Sequence, residues 1–309
     1  MKSVPLVSVL ALLMLCQASV SAYEQPAVQK LQAKDHIVIF GDSTTAGGLG
    51  PAGYVQLLIQ ALNEQAPGVK VSAICKNSRS TDSLLGPQGW ILGRFVELTK
   101  AEPPPTVALI VLGLNDSKAG PNGVEPYAKR LREAVGLLRE RKQTVILTTP
   151  ATWGGLTQTK PYAEAARSLA TELKCPLIDL YAVQSELITN HTKDGKLDPV
   201  FKPTSDGVHL SAVGDTLWAG TMLKAFGLKS AWQKYQLRTV VSGPGEIVVE
   251  PKQPNYEPGA KITLICKPKT GMVFVGWVHT SGEPIAGNSP TLTITMDRHM
   301  HIQAQVKGE

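Results

Sequence analysis

Ser43, Asp206 and His209 are the residue types that together carry out nucleophilic acyl transfer. Asp206 and His209 are three residues apart, close enough on a loop or at a helix start for the carboxylate to orient the imidazole. Ser43 follows an apolar run at residues 37–40, where a parallel strand would end in its loop. The pattern predicts that His209 removes the proton of the Ser43 hydroxyl, which is the chemistry of a serine hydrolase.

A second polar cluster follows another apolar run, at residues 107–112, and reads Gly113-Leu114-Asn115-Asp116. Ligands in open α/β sheets bind at the carboxyl ends of the strands. Asn115 is therefore expected at the same sheet edge as Ser43, with an amide that can donate to a developing oxyanion. Each motif alone is typical of a turn or a helix cap. Their order along the chain and their positions at strand ends favour catalysis.

In that order the motifs resemble the SGNH hydrolase superfamily, the GDSL esterases and lipases. The matching blocks are Gly41-Asp42-Ser43, the Gly113 to Asp116 block, and Asp206-Gly207-Val208-His209, within residues 35–227. The resemblance implies a Ser43 nucleophile, a His209 base oriented by Asp206, and oxyanion donors at Asn115 and the Ser43 backbone N–H. It implies no metal or organic cofactor. The Gly-x-Ser-x-Gly elbow of α/β-hydrolases is absent.

The second block of that family normally contains a glycine whose N–H joins the oxyanion hole. Residues 76–83 contain none, and either Ser78 or Thr81 takes its place, depending on alignment. Loss of such a donor costs about 3 kcal/mol, so a slow, selective or degenerate enzyme is expected if the N–H is displaced. Asp42, Arg79 and Trp153 are the candidates for contacts with substrate.

Alternating strand and helix patterns predict the fold around these motifs. The class is α/β: a flavodoxin-like three-layer α/β/α domain with about five parallel strands at residues 35–230, followed by a small all-β module. Further strands are expected at 69–75, 145–149 and 177–180, and helices near 52–65, 124–141, 160–173 and 211–226. Cys75 and Cys175 would then adjoin strands at opposite edges of the sheet, so they are not expected to pair.

Residues 1–22 have the charged, apolar and small-residue regions of a secretory signal peptide. Cleavage after Ala22 would leave Tyr23 as the first residue and would place the protein in the periplasm or outside a bacterial cell. The apolar run is shorter than the ~20 residues that a membrane anchor needs. Cys16 raises a lipoprotein alternative, but Leu15 stands where a lipoprotein signal needs a small residue.

From about Tyr235 the pattern changes to short alternating runs punctuated by glycine and proline, which predicts an all-β module at residues 236–309. Residues such as Gly245, Tyr256 and Trp277 resemble a bacterial extracellular repeat, the divergent relative of the internalin B repeat. The resemblance implies a spacer or adhesion module that contacts a cell surface or polymer, with Phe274 and Trp277 in its core. His299 and His301 are expected exposed on one strand face, without the third ligand of a metal site.

The net charge of +6 is spread along the chain, so nucleic acid binding is not supported. No stable membrane insertion is expected. The sequence favours a secreted serine esterase acting on short-chain or O-acetyl esters of a polysaccharide or glycan. A lysophospholipase or thioesterase, a catalytically weak carbohydrate-binding or adhesion protein, and an acetyltransferase remain alternatives, because one fold supports several functions.

Overall fold

The computed structural model describes residues 27–151, 158–285 and 287–308. The predicted signal peptide at residues 1–22 and the candidate Trp153 lie outside the described residues. Within the described ranges, none of the helices combines the length and the apolar character needed to cross a membrane.

Five parallel strands form the central sheet, as predicted. They are β1 (His36–Gly41), β2 (Lys70–Cys75), β3 (Val107–Val111), β4 (Thr144–Thr148) and β5 (Leu177–Ile178). Their order is β2-β1-β3-β4-β5. The chain reverses its direction of winding between β1 and β3, and the carboxyl ends of these two strands are where flavodoxin-like sheets bind ligands.

Helices cover both faces of this sheet and make it the middle of three layers. They are α1 (Ser43–Gly48), α2 (Tyr54–Gln65), α3 (Arg94–Leu98), α4 (Val124–Glu140), α5 (Lys160–Leu173), α6 (Leu180–Asn190) and α7 (Ala212–Ala225). Ile37 and Ile39 pack with α2 and α7 on one face, while Val38 and Phe40 pack with α4 and α5 on the other. This alternation follows from the two-residue period of β1. Trp90 is buried in the second core.

Several short elements were not predicted. Helices α1, α3 and α6 are among them, and so is a small hairpin of β6 (Thr192–Lys193) and β7 (Lys196–Leu197). The 3-10 helices at Thr81–Leu84, Asp116–Gly123 and Pro199–Phe201 are further examples. Apart from α6, whose Leu180, Val183 and Leu187 are in helical register, these elements are too short to show a hydrophobic period.

The cysteines of the described residues are free, as expected. Cys75 ends β2 and Cys175 immediately precedes β5, and these strands form opposite edges of the sheet. Cys266 lies in the β module and is buried. Their positions suit small apolar packing residues.

The C-terminal module is all-β, as predicted. Its strands are β8 (Leu237–Ser242), β9 (Gly245–Glu250), β10 (Lys261–Pro268), β11 (Met272–His279), β12 (Pro284–Ile285), β13 (Thr291–Thr295) and β14 (Met300–Gly308). They form two sheets, ordered β13-β10-β9 and β12-β11-β14-β8. Trp277 is 1% exposed in their shared core and Phe274 packs against that core, which confirms the core assignment of both.

The expectation that His299 and His301 are exposed is wrong, because both are buried. Nδ1 of His299 accepts a hydrogen bond from the Gln236 N–H at 3.0 Å. Nε2 of His301 lies 3.1 Å from the carbonyl oxygen of Ala52 in the α/β domain. The module therefore uses this strand face as a contact surface with the α/β domain.

Candidate active site

Ser43 is the first residue of α1 and lies immediately beyond the carboxyl end of β1. The chain turns sharply here, and Gly41 makes the turn possible. A Cβ on Gly41 would collide with the side chain of Thr45 in α1. Ser43 is half-buried, and its backbone N–H has no partner within the helix because it precedes the first helical hydrogen bond. Both its hydroxyl and its N–H are thus placed at the sheet edge.

Asp42 caps this helix and is only 2% exposed. Its Oδ1 accepts hydrogen bonds from the backbone N–H and the hydroxyl of Thr44, at 2.9 and 2.8 Å. Burial raises the pKa of Asp42, while the bonds from Thr44 and the nearby His209 act to lower it. The structure therefore favours a role for Asp42 in fixing the start of α1 over the predicted contact with substrate, because the carboxylate is buried and already bonded.

Asn115 joins the neighbouring strand end to the first block. Its Nδ2 donates to Asp42 Oδ2 at 3.1 Å and to the carbonyl oxygen of Arg79 at 3.0 Å. Gly113 brings the chain to this position with φ of +123°, where a Cβ would lie 3.0 Å from Tyr127 and Pro150. The amide therefore links three sequence blocks at one sheet edge, beside the residue that precedes Ser43.

The second block places its two candidate donors in different surroundings. Ser78 is exposed and has φ of +59°, the left-handed region that glycine adopts most easily. Thr81 is fully buried, and its N–H donates to the Asp116 carboxylate at 3.1 Å while its hydroxyl donates at 2.5 Å. Because the Thr81 N–H is already used, the structure disfavours Thr81 as an oxyanion donor. Ser78 occupies the conformation expected of the missing glycine.

The Thr81 contact fixes the second block against the third. Asp116 is buried, and burial raises its pKa, although the Thr81 hydrogen bonds and the nearby Arg130 act to lower it. Arg130 Nη1 lies 3.6 Å from Asp116 Oδ1. The loop that holds Ser78 is thus bonded to Asp116 through Thr81 and to Asn115 through the Arg79 carbonyl.

Asp206 and His209 are hydrogen bonded to each other. His209 Nδ1 lies 2.7 Å from Asp206 Oδ2, while Asp206 Oδ1 accepts from the backbone N–H groups of Val208 and His209 at 2.9 and 2.7 Å. Burial acts to raise the pKa of Asp206, but these hydrogen bonds outweigh it and lower the pKa to about 2. Gly207 supplies the turn with φ of +89°. The carboxylate is held ionised beside the imidazole, with the ring partly open to solvent.

The structure brings His209 near the β1 edge without a direct bond to the nucleophile. His209 is close enough to Asp42, the neighbour of Ser43, to act to lower the pKa of that carboxyl. Among the described residues, no hydrogen bond joins Ser43 to His209. Catalytic hydrogen bonds are often long in free enzymes and tighten when substrate binds. The Arg79 side chain is exposed at the same loop, whereas Trp153 lies outside the described residues.

Sequence reasoning missed Thr44 and the Thr81–Asp116 contact. An aspartate followed by a small polar stretch is a signature of a helix N-cap, so the role of Asp42 could have been read from the sequence. The partner of Thr81 could not, because 35 residues separate it from Asp116.

Comparison with known proteins shows the family of the chain. Residues 39–217, more than half of the chain, match the GDSL-like lipase/acylhydrolase family. Residues 235–307 match the divergent InlB B-repeat domain. The fold, the site and the family define the protein class as serine esterase. The chain belongs to the GDSL-like lipase/acylhydrolase family, with a B-repeat module at its C-terminal side.

The individual relatives either match only part of this chain or share little sequence identity with it. A GDSL-like esterase of Mycobacterium tuberculosis is 34% identical over 126 residues, which cover 40% of this chain and 38% of that protein. The acetylxylan esterase Axe2 of Geobacillus stearothermophilus has a similar structure, with a TM-score of 0.53, 18% identity and coverage of 66% of this chain and 98% of Axe2. The acetyl xylan esterase AlAXEase gives a TM-score of 0.50 at 22% identity, covering 62% of this chain and 98% of its own. These two structures share the fold of the α/β domain.

Proposed function

We propose that the protein is a secreted esterase that hydrolyses short-chain or O-acetyl esters on carbohydrate through Ser43, His209 and Asp206. The observation that carries the proposal is the hydrogen-bonded Asp206–His209 pair, held by two backbone N–H groups. Its geometry orients one imidazole nitrogen toward the carboxylate and leaves the other to act on a hydroxyl. Ser43 is the hydroxyl that the sheet edge supplies.

In the acylation step, His209 Nε2 accepts the Ser43 proton as Oγ attacks the ester carbonyl carbon. The ionised Asp206 accepts the Nδ1–H bond and stabilises the imidazolium that forms. The tetrahedral intermediate then breaks its bond to the alcohol oxygen, which takes the proton from His209. Water attacks the resulting acyl-serine by the same sequence and releases the acid.

The oxyanion is held in this proposal by Asn115 Nδ2 and by the backbone N–H groups of Ser43 and Ser78. Asn115 already donates to Asp42 and to the Arg79 carbonyl, so it must exchange one bond when the oxyanion forms. The Arg79 carbonyl is the partner it would release, because Arg79 lies on the exposed loop, whereas Asp42 is buried. Each such donor is worth about 3 kcal/mol in the transition state.

The openness of the site supports a carbohydrate ester as substrate. The side chains of His209 and Asp206 are 49% and 55% exposed. An ester attached to a bulky polymer can reach such a surface, whereas a long acyl chain gains most when it is buried in an enclosed apolar pocket. The two solved acetylxylan esterases share this fold. We propose Arg79 and Trp153 as residues that contact the sugar or acyl group.

The test is hydrolysis of p-nitrophenyl acetate, butyrate and octanoate, and of acetylated xylan, by the protein that begins at Tyr23. Ser43→Ala and His209→Ala are compared with Ser242→Ala, which changes an exposed serine in the β module. We expect the first two to lose at least a thousandfold in kcat, about the contribution of a nucleophile or base in a triad, and Ser242→Ala to remain active. Activity retained in Ser43→Ala would refute the proposal.

The substrate panel also separates the alternatives. A preference for octanoate over acetate, without release of acetate from xylan, would indicate the lipid esterase. Binding to xylan without ester cleavage by the unmodified protein would indicate the carbohydrate-binding or adhesion protein. Transfer of acetyl to an added sugar, in place of release to water, would indicate the acetyltransferase. Secretion is tested separately, by sequencing the N-terminus of exported protein, which we expect to begin at Tyr23.

A further inference from the structure

The β module contacts the segment that follows the nucleophile helix. This segment, residues 47–52, comprises the last two residues of α1 and the turn that leads to α2, and is called the α1 exit segment below. The guanidinium of Arg238, on β8, donates to the carbonyl oxygen of Gly47 at the end of α1. A Cβ on Gly50 would collide with the same guanidinium. The module and the exit segment are therefore in direct contact along this short stretch.

Ala52, the last residue of the exit segment, is held on both sides by the module. Its N–H donates to Gln236 Oε1 at 2.7 Å, and its carbonyl oxygen lies 3.1 Å from His301 Nε2. Ala52 is fully buried and has φ of +54°. A residue other than glycine keeps such a conformation only where its surroundings enforce it. The two bonds from the module are what enforce it here.

The exit segment is also connected to α1 from the other side. Tyr54, which begins α2, donates its backbone N–H to buried Asp215 at 2.7 Å, and its hydroxyl is hydrogen bonded to Thr45 Oγ1 in α1 at 2.8 Å. A Cβ on Gly48 would lie 2.7 Å from the Tyr54 ring. A shift of the exit segment would therefore move Tyr54 and α1 together, because these contacts leave no free space between them.

We propose that the β module is a positioning element of the active site, in which Arg238 and Gln236 hold the α1 exit segment and thereby fix α1 and Ser43. The inference rests on the proposed role of Ser43 as nucleophile. It differs from the spacer or adhesion role that the repeat resemblance implies, because it makes the module necessary for full turnover in the same chain.

The expected size of the effect follows from the geometry of attack. Misplacement of a reacting group by about 1 Å can cost about a hundredfold in rate. Asp42 and Tyr54 still hold α1 when the module contact is lost, so the displacement is expected to be smaller. We therefore expect kcat to fall between about tenfold and a hundredfold, with KM changed less than about twofold, since Arg238 and Gln236 do not touch the substrate.

The experiment uses the full chain with Arg238→Ala, Gln236→Ala and Gly50→Ala, and with Arg238→Lys as the conservative variant. Lys267→Ala is the matched control, because Lys267 is an exposed cation of the same module. Near-ultraviolet circular dichroism and thermal unfolding show which variants are folded. The readouts are kcat and KM for p-nitrophenyl acetate and the rate at which diisopropyl fluorophosphate labels the enzyme, which reports on the nucleophile without its usual substrate.

We expect lower kcat and slower labelling in folded Arg238→Ala and Gly50→Ala. Arg238→Lys should recover part of both rates, and Lys267→Ala should leave both unchanged. The losses of Arg238→Ala and Gly50→Ala should not multiply in the double variant, because both break one contact. If folded Arg238→Ala and folded Gly50→Ala both keep kcat within twofold of the unmodified protein, the positioning role of the module is refuted. If Arg238→Ala does not fold, the kcat and labelling rate of folded Gly50→Ala decide whether the module positions Ser43. An active Ser43→Ala would instead refute the proposed function, whatever these variants do.

Discussion

Asp206→Asn separates the two tasks of the Asp206 carboxylate. Oδ1 accepts two backbone N–H groups that shape the loop, and Oδ2 faces Nδ1 of His209. The amide keeps an oxygen for the loop but places an NH2 group against Nδ1. The neutral imidazole must then accept a hydrogen bond at Nδ1 and carry its hydrogen on Nε2, which is the tautomer that cannot receive the Ser43 proton. We expect a folded protein with impaired acylation.

The magnitude can be bounded from the environment of the pair. A charge-assisted hydrogen bond contributes about 1.5 to 3 kcal/mol, which corresponds to roughly ten- to a hundredfold in kcat, and the same change in a buried triad costs about ten-thousandfold. Since Asp206 and His209 are each about half exposed, water partly replaces the lost carboxylate. We therefore expect kcat of Asp206→Asn to fall by about a hundredfold, nearer to the loss of one charge-assisted hydrogen bond than to the loss in a buried triad.

The assay is kcat for p-nitrophenyl acetate between pH 5 and 9, with thermal unfolding of the same samples. Asp198→Asn is the matched control, because Oδ1 of Asp198 also accepts a backbone N–H two residues later, from Val200 at 3.0 Å. A loss of less than about threefold in folded Asp206→Asn would show that the carboxylate does not set the tautomer, and would refute this reasoning. An equal loss in Asp198→Asn would attribute the effect to loop structure.

Three further predictions concern residues around the site and the domain contact. Ser78→Gly should raise the unfolding free energy by up to about 1 kcal/mol and keep kcat, because glycine adopts its φ without strain; lower stability in urea unfolding would contradict this. Thr81→Val should cost about 1 to 3 kcal/mol of stability, because the buried Asp116 loses the hydrogen bond from the Thr81 hydroxyl while the backbone N–H still donates to it; it is measured the same way, and an unchanged midpoint would contradict it. Burial raises the pKa of Asp215 to about 7, above its value of about 4 in the unfolded chain. The folded protein therefore binds this proton more tightly, so the free energy of unfolding falls as pH rises from about 4 through 7. This group accounts for at most about 4 kcal/mol of that fall. Asp215→Asn should remove that decline in urea unfolding at pH 4.5 and 7.5, and an unaltered pH dependence would argue against it.

The parts of the fold that depend on hydrophobic period could be predicted. The apolar runs of β1 and β3 are buried on both faces, so they are continuous in sequence and easy to identify. Their ends carry Ser43 and Asn115, and the rule for the carboxyl ends of parallel strands brought these residues to one sheet edge. Trp277 was placed in the core of the module because the resemblance to the B-repeat implies it, and the structure buries it there.

Other features depend on partners that are distant in sequence and could not be predicted. His299 lies just before β14 and His301 within it, and nothing local to either residue shows that it is buried or, for His301, that the α/β domain covers it. The contact of His301 with Ala52 spans 249 residues. The burial of Asp42 and its bonds to Thr44 were likewise not predicted, since only the packed structure shows them; contact of Asp42 with substrate stays a prediction that this burial disfavours.

The second block shows why a missing motif residue need not remove a function. The family glycine would supply an N–H, and what the oxyanion needs is that N–H and its direction. Ser78 has φ of +59°, a conformation that costs a residue with a Cβ about 1 to 2 kcal/mol. In the free enzyme Asn115 holds the Arg79 carbonyl, and Asp116 holds Thr81. The Thr81 contact remains when Asn115 turns to the oxyanion, so it continues to hold the backbone that follows Ser78. The surrounding structure thereby keeps the turn and its N–H, and the substitution is expected to reduce stability more than turnover.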